Sequence, residues 1–180
     1  TNAALSAGSG TNLSITDLAI AASGIALQNE AKSLTVSGAL NISTTESSNG
    51  FTGIENRSNG LTLKSDAVVT ITTASNSNVD GDFTGLDTAT EVTMEDGATL
   101  TVTNSSGATV SGTFTGVNYS SNSGLSEING DLRIANEGEA GAFTGLAADG
   151  TLTMNGNLTI SSAGTVNEAF QGLSFAGNTF

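Results

Sequence analysis

The chain has no cysteine, histidine, proline or tryptophan. Without cysteine there is no disulfide to close loops and no thiol nucleophile. Without histidine as well, imidazole acid–base chemistry and ordinary zinc sites are excluded. Basic residues are scarce: four Lys and Arg stand against 17 Asp and Glu, for a net charge of −13. Lys32, Arg57, Lys64 and Arg133 are scattered and form no basic patch, so nucleic acid and anionic lipid are poor candidates as partners. No apolar run approaches the length of a membrane span, so no membrane insertion is expected. Large aromatics are few, at seven Phe and one Tyr in 180 residues, whereas 23 residues are Gly. The apolar side chains are therefore small and evenly spread, which suits a narrow, regular core. Thr favours strands, and Gly, Asn and Ser favour turns.

What is present is repetition. Phe51-Thr52-Gly53-Ile54 recurs as Phe83-Thr84-Gly85-Leu86, Phe114-Thr115-Gly116-Val117, Phe143-Thr144-Gly145-Leu146 and Phe170-Gln171-Gly172-Leu173. The steps between phenylalanines are 32, 31, 29 and 27 residues. A period of this size marks a solenoid, in which each repeat buries its apolar face only against its neighbours. Between the tags lie paired alternating triplets: Leu34-Thr35-Val36 with Leu40-Asn41-Ile42, Leu61-Thr62-Leu63 with Val69-Thr70-Ile71, Val92-Thr93-Met94 with Leu100-Thr101-Val102, and Leu152-Thr153-Met154 with Leu158-Thr159-Ile160. In a strand, each triplet turns two apolar groups inward and one polar group outward. Gly38, Asp66, Gly97, Gly130 and Gly156 mark the corners between triplets. The copy at 125–134 deviates: Leu125-Ser126-Glu127-Ile128 has an extra residue, which predicts a β-bulge.

The sequence thus predicts an all-β parallel solenoid of five to six coils of 27–32 residues, forming one domain over 1–180. Residues 1–33 are an atypical first coil or cap, 34–169 the regular repeats, and 170–180 an incomplete terminal coil. Residues 15–34 also fit an amphipathic helix, weakened by Gly24 by roughly 1 kcal/mol relative to Ala. Stacking places Phe51, Phe83, Phe114, Phe143 and Phe170 in an internal aromatic column. Gly53, Gly85, Gly116, Gly145 and Gly172 form a second column at a corner, where glycine supplies a left-handed backbone and lets adjacent coils approach.

Strand–corner–strand repeats rich in Thr, Asn and Gly resemble the parallel β-solenoids of bacterial surface and secreted proteins: filamentous-haemagglutinin-type adhesins, autotransporter passenger domains and phage tail-spike shafts. The resemblance covers about 34–175 in texture and period. It implies an extracellular or cell-surface location, a structural or adhesive role, and no site residues. Phe-x-Gly-Leu is also similar to a stretch of some bacterial leucine-rich repeats, but those have shorter periods and an Asn ladder, and no invariant Asn column stands out here.

Candidate chemistry is sparse. Asp131 and Arg133 lie two apart on one strand, as in β-helical lyases, and fit an ion pair equally well. Asp80 and Asp82, Glu95 and Asp96, and Glu137 and Glu139 are acidic pairs in turns. They are candidate calcium ligands, with solvated acidic corners as the alternative; no other cofactor is expected. The outward Thr35, Thr62, Thr93 and Thr153, and Thr70, Thr101 and Thr159, form rows like those of ice-binding faces, broken at Glu127 and Arg133. Asn-x-Ser/Thr triplets begin at Asn12, Asn41, Asn56, Asn104, Asn118 and Asn157.

A solenoid's open edges are templates for strand addition. Leu13, Ile15, Leu18 and Ile20 at one end, and Leu173, Phe175 and Phe180 at the other, are the candidate assembly residues. The expectation is a non-enzymatic subunit of an extracellular filament that polymerises head to tail with copies of itself. The alternative is a segment of a large adhesin or phage fibre, with a surface carbohydrate or protein receptor as partner.

Overall fold

The computed structural model describes residues 5–7, 12–30, 33–44, 46–47, 49–57, 60–120 and 125–176. Among these residues every regular element is a β-strand and every strand pairing is parallel. The chain winds as a parallel β-solenoid of about five turns, as the repeat predicts.

Three long ladders make its faces. The first stacks 12–16, 33–37, Leu61–Leu63, Val92–Met94, Leu125–Ile128 and Thr151–Met154. The second stacks 18–22, 39–44, Val68–Thr73, Thr99–Asn104, Asp131–Asn136 and Leu158–Ser162. The third stacks Leu5–Ala7, Ile25–Asn29, Phe51–Asn56, Phe83–Thr88, 113–119, 142–148 and Phe170–Phe175. A short corner ladder of Asn78–Val79, 109–110, 139–140 and Thr165–Val166 joins the second face to the third.

The predicted in–out pattern holds on the first two faces. Leu34, Val36, Leu61, Leu63, Val92 and Met94 are buried, while Thr35, Thr62 and Thr93 between them are half-buried on the outer side. The described residues of 15–34 form strands rather than a helix. Asn12–Ala22 pairs along Ser33–Thr44, so Ile15, Leu18 and Ile20 take the columns of Val36, Leu40 and Ile42. Period-2 burial against a neighbouring strand outweighs the helical alternative, and the stack extends N-terminally to Leu5–Ala7.

The aromatic column is present. Successive ring centroids of Phe51, Phe83, Phe114, Phe143 and Phe170 lie 5.1, 5.1, 5.6 and 5.1 Å apart, within the range of favourable aromatic pairs. The glycine column is also present, and of the two expected reasons for it the close approach of adjacent coils holds while the left-handed backbone does not. Gly53, Gly85, Gly116 and Gly145 stand inside strands, not at corners, and among the described residues the left-handed glycines are Gly38, Gly50, Gly60, Gly81, Gly97 and Gly107. What the column requires is space. A Cβ on Gly53, Gly85, Gly116 or Gly145 would fall 2.6, 2.5, 2.6 or 2.4 Å from the carbonyl oxygen of the column glycine in the next coil. The in–out alternation also breaks there: Phe, Gly and the following aliphatic residue are all buried, as in Phe83, Gly85 and Leu86.

The bulge expected at 125–128 is absent. Leu125–Ile128 runs in continuous register with Thr151–Met154, and Ser126 takes the inward column of Leu152. Register shifts among the described residues lie instead between Thr16 and Leu18, where Asp17 faces Gly38 and Ala39, and between Val110 and Thr113, where Ser111 and Gly112 face only Gly141. A serine can occupy an apolar column because its Oγ accepts the Val92 N–H at 2.9 Å.

Candidate functional site

The acidic pairs are placed separately around the solenoid. Asp80 and Asp82 brace the irregularity at 111–112. Asp80 Oδ1 accepts from Ser111 Oγ at 3.2 Å, and Asp82 Oδ1 accepts the Thr113 N–H at 2.7 Å. Glu95 accepts from Lys64 Nζ at 2.6 Å and from the Ser65 N–H at 3.1 Å. The Lys64 hydrogen bond is the main reason that its carboxyl titrates below the usual range; desolvation opposes the shift and Ser65 adds to it. Asp96 and Glu137 are exposed, and Glu139 Oε1 accepts from Asn167 Nδ2 at 2.9 Å. Among the described residues no three Asp or Glu side chains come together as a metal-binding group.

The outer face of the third ladder carries a charged brace. Arg57 bridges Glu55, at 2.9 Å, and Asp87 in the next coil. Burial works against the charge on Arg57, but the two carboxylates outweigh it and raise its already high pKa. Gln28 donates to Glu55 at 3.0 Å and Asn118 to Asp87 at 2.8 Å, which continues the brace over four coils. The threonine rows also fall in register: Thr35, Thr62 and Thr93 meet Glu127 and then Thr153, and Thr70 and Thr101 meet Arg133 and then Thr159. A charge interrupts each row. A further row, Thr52, Thr84, Thr115 and Thr144, is unbroken until Gln171.

Sequence reasoning missed two buried polar ladders. Asn29 Nδ2 donates to Asn56 Oδ1, and Asn56 Nδ2 donates to Thr88 Oγ1 at 3.1 Å and Thr90 Oγ1 at 2.7 Å. On the second face, Thr73 Oγ1 donates to Asn104 Oδ1 at 3.1 Å, Asn104 Nδ2 to Asn136 Oδ1 at 2.7 Å, and Asn136 Nδ2 to Ser162 Oγ at 3.2 Å. The signal was a small polar residue five positions after Phe51 and Phe83. Because these columns mix Asn with Thr and Ser, no single residue type reveals them. Of the sequon asparagines, Asn56 and Asn104 lie inside the ladders, whereas Asn41 and Asn157 are exposed.

The two ends of the stack differ. At the first coil, Ile15 and Ile20 are buried, at 4% and 7% exposed, and Leu18 is half-buried. The side chain of Leu13, and the whole of Phe180, lie outside the described residues. At the last coil the core lies open. Phe170 is 58% and Leu173 44% exposed, whereas Phe143 and Leu146 in the same columns are at 0% and 2%. Leu152, Met154, Leu158, Ile160 and Phe175 are covered on one side only. Along this edge Phe170–Phe175 pairs with 143–148 and with no strand beyond it among the described residues. The candidate functional site is this edge. It is a strand edge with exposed apolar side chains beside it.

Fold and edge together define an all-β parallel solenoid whose last described coil exposes its apolar columns. The chain matches no family model, no curated protein and no solved structure.

Proposed function

We propose that the protein is a structural, non-enzymatic element of an extracellular or cell-surface fibre, lengthened by adding β-coils to its open edge. The observation that carries this reading is the exposure of Phe170 and Leu173 at the end of columns that are otherwise buried. An uncovered strand edge with apolar side chains beside it is a template for another strand. A coil adds about 4.8 Å to the length, so a useful stalk needs many more coils than this chain contains. In the first form of the proposal the added coil belongs to another copy, and head-to-tail contact builds an open filament. The absence of histidine and cysteine from the sequence supports a role without catalysis.

A second reading, a segment of a large adhesin or phage fibre, draws support from the first coil. Among the described side chains there, Ile15 and Ile20 are buried, in contrast to Phe170 and Leu173, and Ile25 is the exposed large hydrophobic at 37%. In that reading the partner is a surface carbohydrate or a protein receptor.

Negative-stain electron microscopy and sedimentation of the purified chain, with and without calcium, separate the two. Filaments one solenoid wide are the result expected for head-to-tail assembly, and deleting 170–180 should abolish them. Monodisperse short rods under every condition would remove the filament and favour the longer fibre.

A further inference from the structure

The edge is not an indiscriminate apolar surface. Within the stack, every rung from Phe51 onward accepts the same kind of strand, in parallel and without slippage. Phe51 meets Phe83, Phe83 meets Phe114, Phe114 meets Phe143, and Phe143 meets Phe170, with the aliphatic residue three positions later in register each time. Two features enforce this match. The ring of each Phe stacks on the next at 5.1 to 5.6 Å. Two residues on, the next coil's carbonyl sits where a Cβ would be, at 2.4 to 2.6 Å from its ideal position. Backbone cannot give way there as the end of a flexible side chain can.

Gly172 is the last member of this column, and a Cβ built on it has nothing within 4 Å. Its lack of a side chain therefore does nothing for the coil that contains it. By the geometry of the preceding rungs, it leaves room for the carbonyl of an incoming strand. Beside it, Phe170 offers a ring face. At the far end of the strand, the column changes from Asn56 and Thr88 to Tyr119, Ala148 and Phe175, so the incoming residue there meets an apolar neighbour.

We infer that the open edge selects its partner: it takes a parallel β-coil whose strand reads aromatic–x–Gly–aliphatic–x–apolar, in register with Phe170–Phe175. This inference rests on the reading of the edge as a strand-addition surface. It specifies the occupant as a coil of the interior type, not this chain's own first coil, and so sides with the longer fibre over head-to-tail stacking of copies. That coil has Gly24 where the others have Phe, because the Thr52 N–H bonds to Gly24 and Ile25 pairs with Thr52. It also places Ala26 opposite Gly53. Ala26 shows that one methyl is accommodated in the column where the aromatic is missing, so a test of the column needs a larger side chain.

The test extends the full chain after Phe180 with a second copy of residues 92–119. The spacing from Phe170 to the added segment then equals that from Phe114 to Leu125. A parallel extension uses residues 12–29. Hydrogen exchange at the amides of 170–175 is the readout. The interior coil should slow exchange there at least about tenfold, and the first coil should do markedly less. Gly172→Val should leave the melting temperature of the unextended chain unchanged and remove the protection given by the interior coil. Equal protection by both extensions, or protection that survives Gly172→Val, would overturn the selectivity while leaving the edge a stacking surface. If neither extension slows exchange, the edge does not add coils, and the proposed fibre role fails with the inference.

Discussion

At Gly85 no side chain fits, although the backbone conformation is open to any residue. A Cβ would lie 2.5 Å from the Gly116 carbonyl oxygen and 2.4 Å from Val102 Cγ1, both in the next coil. Overpacking of this kind costs about 1–3 kcal/mol, so Gly85→Ala should lower the melting temperature by several degrees, at about 2–4 °C per kcal/mol for a chain of this size. Gly24, with nothing within 4 Å, is the matched control: Gly24→Ala should stay within about 0.5 kcal/mol of the parent. Equal effects of the two substitutions in thermal unfolding would show that close approach between coils is not what the column protects. The same scale governs the asparagine ladders. Asn104 is fully buried and gives its amide protons to Asn136 Oδ1 and the Glu139 carbonyl. Each such bond satisfies a group that would otherwise be costly inside the core. The phenylalanine tags were legible as a core column because identical residues recur at a near-constant step. The ladder was not, since Thr73, Asn104, Asn136 and Ser162 share only the capacity to hydrogen-bond.

Among the strands, Leu125–Ile128 departs most from the repeat. Its Ser126 replaces an aliphatic side chain on the inward column, and a cavity of about 20 Å³ lies beside it, lined in part by Leu86, Val92, Tyr119, Ile128 and Leu132. That is room for about one water-sized sphere. Ser126→Thr keeps the hydroxyl that accepts the Val92 N–H and adds one methyl to the space. It should stabilise the protein by up to about 0.8 kcal/mol, the value of one buried methylene. Ser126→Ala removes the acceptor from a buried donor and should cost about 1–3 kcal/mol. Urea unfolding of the two variants checks this: a destabilised threonine variant would mean that the strand is already tightly packed. The sequence shows a deviation here but misreads its kind. An extra residue before a triplet fits a bulge or a longer loop equally well, and the pairing partners at 93–94 and 151–154 decide between them.

The whole molecule carries a net charge of −13, and its described ion pairs involve only Arg57 and Lys64. Self-repulsion of this size opposes the folded state, and salt screens it over about 10 Å at 0.1 M. Raising sodium chloride from low concentration to about 0.15 M should therefore raise the melting temperature. The Lys64–Glu95 pair contributes in the opposite direction, but both side chains are well exposed and such pairs contribute little. A melting temperature that falls with salt would mean that the ion pairs outweigh the excess of carboxylates.

The sequence by itself determined the period, the inward and outward residues of the triplets and the aromatic column. Each of these is a property of alternation within one strand or of recurrence at a fixed step. The tertiary structure alone decided which of the two expected reasons keeps the column glycine, where the register slips, which polar side chains are buried, and which described coil exposes its core. In each of these cases the deciding contact lies in a neighbouring coil, about thirty residues away. A residue's own sequence surroundings contain neither the carbonyl that would meet its Cβ nor the amide that completes its hydrogen bond.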